Sequence, residues 1–180
     1  MKLSGHDTVG PVTSRRLIVI RHADAEPAAL TDYERHLTAK GRDDATEAGH
    51  WLADVVAPPL QGVVSGATRA RQTWSALMAG AGWDPPVAYE RSLFTAGPDT
   101  ALDLLRQTSD EVTTLVAVGH NPTMAYLAQL LYDGDGEAGA VERMATGFPT
   151  CSVAVFACET AWSMLDAGGC RLIAFHVGRA

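Results

Sequence analysis

Leu17-Ile18-Val19-Ile20 is a short, largely β-branched apolar run that stops abruptly at Arg21-His22. A run of that length without polar alternation reads as a strand buried on both faces in a parallel sheet. Arg21 and His22 then lie at a strand's carboxyl end, where open α/β sheets carry their ligand sites. Two other stretches share this form. Val116-Ala117-Val118-Gly119 runs into His120-Asn121-Pro122, with Pro122 at a favoured first helical position and a helix over Thr123 to Tyr132. Gly62-Val63-Val64-Ser65 leads into a helix from about Ala67 to Ala79, with Arg69 in or near its first turn. Such alternation predicts a single three-layer α/β domain, a mostly parallel central sheet with helices on both faces.

If the three strand ends share one sheet edge, they gather Arg21, His22, Arg69 and His120 beside two helix N-termini. Free N–H groups at such termini favour anions. Two guanidiniums, two imidazoles and two helix ends suit one dianionic tetrahedral group, a phosphoryl.

These residues resemble the histidine phosphatase superfamily, which includes the cofactor-dependent phosphoglycerate mutases. Within it they are most similar to the short bacterial phosphohistidine phosphatases of the SixA type. Four stretches carry the likeness: Arg21-His22-Ala23, Ser65 through Thr73, Gly119-His120-Asn121-Pro122, and Asp32 through Gly41. They fall in the family's order and span roughly Leu17 to the C-terminus. The resemblance implies a phosphoglycerate-mutase-like fold and a metal-independent phosphatase with no cofactor. It makes His22 the nucleophile and gives Arg21, Arg69 and His120 the phosphoryl oxygens. The larger relatives carry a helical insertion over the site, and this chain has little room for one.

A neutral imidazole can attack phosphorus in line to give a phosphohistidine that water then opens. The attacking nitrogen must be unprotonated, so the other needs an acceptor, expected to be a backbone carbonyl. His120 would donate to a phosphoryl oxygen and, if protonated, add charge. Many superfamily members also place a Glu shortly after the third strand to protonate the leaving group. The matching positions here, just beyond Leu93, hold Phe94, Thr95 and Ala96, while Glu90 comes too early and reads as solvated. An alkoxide needs that proton badly, whereas imidazole, whose conjugate acid has a pKa of about 6.5, does not. The expected substrate is therefore phosphohistidine in a protein. Two alternatives stand beside it: a small-molecule phosphomonoesterase on the same fold, and a non-catalytic phosphohistidine- or phosphate-binding module. Asp24 can be a substitute acid, a water-orienting group or a loop residue. Arg35 can face the pocket mouth through Asp32 or simply staple the loop. Arg71 reads as surface, and His6, His36, His50 and His176 as surface or edge.

At 180 residues, 47% apolar and 19% charged, the chain has the size and composition of one soluble domain. Its net charge of −7 argues against nucleic-acid or anionic-membrane binding. Cys151, Cys158 and Cys170 lack metal-site spacing and read as buried free thiols, which points to a reducing cytoplasm. No signal-peptide or transmembrane run is visible. Residues 1–14 read as a flexible tail, 15–180 as the domain, and the protein as a monomer or weak homodimer.

Along the rest of the chain, Thr38 is placed to cap a helix carrying Ala45, Ala48, Leu52 and Val55, ended by Pro58-Pro59. Trp74 belongs to the core face of the next helix. A short strand near Val87, a helix over Asp99 to Gln107 and a strand over Ser152 to Ala157 are expected. Asp133 to Gly139 reads as a mobile loop. Trp162–Leu165 and Leu172–Phe175 are expected as further strands joined at Gly168-Gly169.

Overall fold

In the computed structural model, which describes residues 14–57 and 61–179, the Leu17 run is the centre of the protein. It forms β1 (Arg15–Arg21), whose four apolar residues are fully buried. Successive side chains on a strand point to opposite faces. Leu17 and Val19 accordingly join one apolar cluster, and Ile18 and Ile20 join the other.

The remaining strands are β2 (Gln61–Ser65), β3 (Val87–Glu90), β4 (Thr114–Gly119), β5 (Tyr132–Gly136), β6 (Ser152–Cys158) and β7 (Cys170–Val177). They form one sheet in the order β3-β2-β4-β1-β6-β7-β5. β1, β2, β3 and β4 are mutually parallel, and β6 runs antiparallel to both β1 and β7. The expected α/β architecture, one domain with a mostly parallel sheet, is the one found.

Helices cover both faces. α1 (Ala39–Val55) and α2 (Thr68–Ala81) supply Ala45, Ala48, Leu52, Ala70, Trp74 and Leu77 to the cluster around Ile18 and Ile20. α3 (Pro98–Arg106), α4 (Thr123–Leu131) and α5 (Ala138–Ala145) supply Leu102, Leu105, Met124, Leu127 and Met144 to the opposite one. Thr38 caps α1 as expected, its hydroxyl accepting the Gly41 N–H. Trp74 packs on Gly62, where a Cβ would come within 2.6 Å of the indole.

Four expectations change. Asp133 to Gly139 is not a loop: β5 pairs with β7 at the sheet edge, and α5 comes next, capped by the Glu137 carboxylate on the Gly139 and Ala140 amides. Partner-strand hydrogen bonds hold this Gly- and Asp-rich stretch extended against its own weak propensity. Trp162–Met164 is a 3₁₀ turn, with the buried Trp162 indole donating to the Val112 carbonyl. Pro122 caps α4 through a cis Asn121–Pro122 bond instead of sitting inside the helix. Finally, Cys158 and Cys170 are disulfide-bonded, while Cys151 is free and buried. The antiparallel register sets Cys158 directly opposite Cys170, a pairing no spacing rule reveals. That bond removes the free-thiol argument for a reducing compartment. Most of the expected tail, the Pro58-Pro59 stop and His6 lie outside the described residues. Among the described residues no helix is long and apolar enough to cross a membrane.

α1 and α2 approach unusually closely. A Cβ on Gly49 would lie 2.1 Å from the Leu77 carbonyl oxygen, and one on Gly80 would lie 2.1 Å from that of Thr46. Ala ordinarily stabilises a helix interior over Gly by about 1 kcal/mol. Forcing a methyl against a backbone oxygen costs about 1–3 kcal/mol, so the clash prevails. Gly49→Ala is expected to lower Tm by roughly 4 °C in a thermal melt. A higher Tm would show that the two helices can part without loss.

Candidate active site

The parallel register decides which side chains meet. β1 pairs Arg21 with Gly119 of β4, and β4 lies between β1 and β2. The carboxyl ends of β1, β2 and β4 are therefore adjacent. His22 comes directly after β1, its amide bonded to the Gly119 carbonyl, and His120 directly after β4. Ser65 ends β2, and Arg69 enters from the first turn of α2. Arg21, His22, Arg69 and His120 thus come together, with His22, Arg69 and His120 all under 9% exposed.

His22 has one possible tautomer. Its Nδ1 lies 2.7 Å from the Ala23 carbonyl, which can only accept, so Nδ1 carries the proton. Its Nε2 lies 3.2 Å from Arg69 Nε, which can only donate, so Nε2 holds a lone pair. Burial first, and then the nearby guanidiniums, push the imidazole down to about 4, against the Ala23 bond that pulls upward. His22 is neutral at physiological pH, and its Nε2 lone pair accepts the Arg69 Nε–H.

His120 is arranged differently. Its ring centroid is 5.0 Å from that of His22, and its Nε2 is 2.8 Å from Ser65 Oγ. That hydroxyl also accepts the Ala67 N–H, which ties the end of β2 to the start of α2 beside the ring. Burial first, then His22 and Arg69, push His120 down to about 3. It is therefore neutral in the free protein, and the added charge considered from the sequence is absent there. Among the described residues, three buried polar side-chain atoms lack a partner, and two of them are His120 Nδ1 and Arg21 Nε. Arg21 Nε can only donate, and burying a donor without an acceptor is unfavourable, so this is a place where an oxyanion gains.

The long stretch after Ser65 also reads in physical terms. Arg69 is in the pocket. Gln72 reaches across to the segment before α1, its Oε1 accepting the Leu37 amide and its Nε2 meeting His36 Nδ1. The Thr73 hydroxyl donates to the Arg69 carbonyl and accepts the Ala23 amide, fixing the residue after His22. Arg21 is anchored through Nη1 on the Phe148 carbonyl, which Asn121 Nδ2 shares.

Asp32 is the residue that the sequence undervalued. Its Oδ2 is 3.0 Å from Arg69 Nη2, its carbonyl takes Arg69 Nη1, and its Oδ1 pairs with Arg35 at 2.8 Å. The Arg35 bond first, with Arg69 adding, holds this carboxyl below its ordinary range. Arg35 also donates to the Glu26 carbonyl, so it both staples its loop and contributes positive potential at His22. Asp24 accepts from the Thr38 hydroxyl and its carbonyl takes the Thr38 amide, which ties the loop to α1.

Known proteins share this fold. No family model matches the chain. An uncharacterized protein of Mycobacterium tuberculosis is 38% identical over 163 residues, covering 89% of this chain and all of that protein. A chain from Nakamurella multipartitia, provisionally named phosphohistidine phosphatase SixA, superposes with a TM-score of 0.82 at 30% identity, covering 93% of this chain and 98% of its own. One of the same provisional name from Agrobacterium tumefaciens gives 0.73 at 30%, covering 91% and 97%. The chain belongs to the SixA-type histidine phosphatases. It is accordingly a phosphoryl hydrolase with the phosphoglycerate-mutase-like fold.

Of the three positions where a superfamily acid was sought, Phe94 reaches the site, its ring 5.4 Å from His120 and edge-on to it. The Ala96 carbonyl accepts the Thr123 hydroxyl. Glu90 ends β3 and lines a small groove with Leu104 and Gln107. Arg71 stacks over Tyr89 at 4.4 Å, His36 and His50 are exposed, and His176 lies half-buried against Trp51 and Glu47.

The lowered histidines set the acid stability of this SixA-type protein. Between pH 6.5 and about 4 the unfolded chain protonates both imidazoles while the folded one does not. Stability is thus fully present above pH 6.5 and falls as the pH drops towards 4. Urea midpoints measured from pH 7 to pH 4 are expected to decline, and less steeply in the His22→Asn/His120→Asn double variant. An unchanged slope would mean the two imidazoles are not held neutral.

Proposed function

We propose that this histidine phosphatase removes the phosphoryl group from phosphohistidine in proteins through a covalent phosphohistidine at His22. The observation that carries the reading is the locked tautomer, with Nδ1–H on the Ala23 carbonyl and the Nε2 lone pair beside Arg69. His22 Nε2 attacks phosphorus, and the bond from phosphorus to the substrate nitrogen breaks. Its electron pair leaves with the imidazole, which is protonated from solvent. Water then attacks the phosphorylated His22, phosphate departs, and the Nε2 lone pair is restored.

Arg21, Arg69 and His120 are assigned to the equatorial oxygens. Arg21 Nε supports that assignment as a buried donor without a partner, and His120 Nδ1 as a buried ring nitrogen without one. Held in place before reaction, such donors favour the charge of the transition state. Three of the five Arg69 N–H groups already donate within the protein, which leaves one N–H on each Nη for the oxygens.

The leaving group is set by the proton supply. Asp32 is the carboxylate bound to Arg69, and two guanidiniums hold it ionised. Asp24 is engaged by Thr38, and Phe94 stands where an acid was sought. Such a site works best on a group that leaves without a strong acid, which favours imidazole over an alkoxide. The small-molecule phosphomonoesterase and the non-catalytic module are outcomes of the same test.

Protein incubated with a labelled phosphohistidine peptide and quenched in alkaline detergent is expected to hold label that is alkali-stable, acid-labile and absent from His22→Ala. kcat/KM for that peptide should exceed the value for a phosphoserine peptide by at least about a hundredfold, or about 2.7 kcal/mol of barrier. Binding without label or turnover would leave a phosphate-binding module. Faster turnover of a metabolite ester would favour the small-molecule reading, and turnover by His22→Ala would overturn the mechanism.

A further inference from the structure

Two 3₁₀ turns flank the site from outside the sheet edge, Asp32–Glu34 and Ser92–Phe94. Each carries one aromatic side chain, and the two rings meet edge to face, 5.0 Å apart at 83°. Phe94 also lies 5.4 Å from the His120 ring and 5.6 Å from the Arg69 guanidinium. It therefore touches both groups that flank the nucleophile. Beyond it opens a cleft of about 780 Å³, walled by Tyr33, Phe94 and Arg91.

We propose that this cleft is a leaving-group subsite for a flat aromatic ring, with Phe94 and Tyr33 as its selecting walls. The subsite deepens the phosphohistidine reading and rests on it only for the identity of the ring.

Neither aromatic is spent in the core. Phe94 and Tyr33 are both half-buried, and the apolar clusters on the two sheet faces include neither. Apolar surface kept partly wet beside a charged site gains when a ring covers it. Tyr33 is held in position: it lies against Gly66 at the end of β2, where a Cβ would fall 2.2 Å from the phenol oxygen. The Arg91 guanidinium lies 5.3 Å from the Tyr33 ring.

Charge at the rim does not make the choice. Arg91 contributes a cation, while Glu34, which accepts from the Thr31 hydroxyl, contributes an anion on the facing turn. Ring shape and ring faces are left as the features a substrate can match. An imidazole carried on a peptide fits that description, and an alkyl alcohol does not. The same walls would take the phenyl ring of an aryl phosphate, so the subsite selects for a planar ring and not for nitrogen.

Binding of phenylphosphonate and methylphosphonate, measured by calorimetry on the intact protein, tests the subsite without turnover. The wild type is expected to bind phenylphosphonate about five- to tenfold more tightly, the factor an aromatic pair supplies. Phe94→Leu, which keeps an apolar side chain of similar size, should bring the ratio to within twofold, and Phe94→Tyr should restore it. Equal affinities in the wild type, or a ratio unmoved by Phe94→Leu, would overturn the proposal. In turnover, Phe94→Leu should reduce kcat/KM about tenfold for a phosphohistidine peptide and no more than about threefold for phosphoramidate, whose leaving group has no ring. Equal losses on the two substrates would make Phe94 a general support of the site and sink its selecting role. Should the phosphoenzyme fail to form while the phosphonate ratio holds, the hydrolytic reading falls and the subsite stands.

Discussion

The contact between Arg69 Nε–H and His22 Nε2 depends on most of the rest of the molecule. It needs β1 to end beside β4, so that His22 comes after Arg21 at the pocket floor. It needs β2 to run directly into α2, so that the first turn of that helix delivers a guanidinium to the same spot. The close approach of α1 and α2 at Gly49 and Gly80 seats α2 against its neighbour, and Thr73 pins the Arg69 backbone to Ala23. The consequence is electrostatic. A protonated His22 would turn an N–H toward the Arg69 N–H, so the contact that orients the imidazole also opposes its protonation.

Balance of charge organises the surroundings. Three guanidiniums lie near His22, and one carboxylate, Asp32, offsets them by being shared between Arg35 and Arg69. A phosphoryl group brings its own negative charge to this cluster. Arg21 Nε and His120 Nδ1 are buried in it without partners. On a protein with a net charge of −7 this is a local positive pocket, and it acts on substrate already at the mouth.

Much of the fold was legible because apolar runs are local signals. β1, β2 and β4 each appear as a few consecutive buried residues, and α1 and α2 as apolar positions at helical spacing. Three of the four misreadings share one cause, which is that pairing across distance overrides local chemistry. β5 is Gly- and Asp-rich and forms because β7 offers an open edge. Trp162 closes a 3₁₀ turn because the Val112 carbonyl takes its indole proton. Cys158 meets Cys170 because β6 and β7 are in antiparallel register.

The sequence by itself determined the chemical groups: Arg21 and His22 at one strand end, His120 at another, Arg69 at a helix start, and no acid just beyond Leu93. Those are properties of residue type and short spacing, carried by the chain whatever it touches. Only the tertiary structure decided their state. The tautomer of His22, the neutrality of His120 and the pairing of Asp32 with Arg69 depend on burial and on partners up to 55 residues away. So does the placing of Phe94 against His120 and Tyr33, which gives the pocket an aromatic wall where an acid was sought. Protonation and ring contacts are set by the field and the packing around a group, and both exist only once the chain has folded.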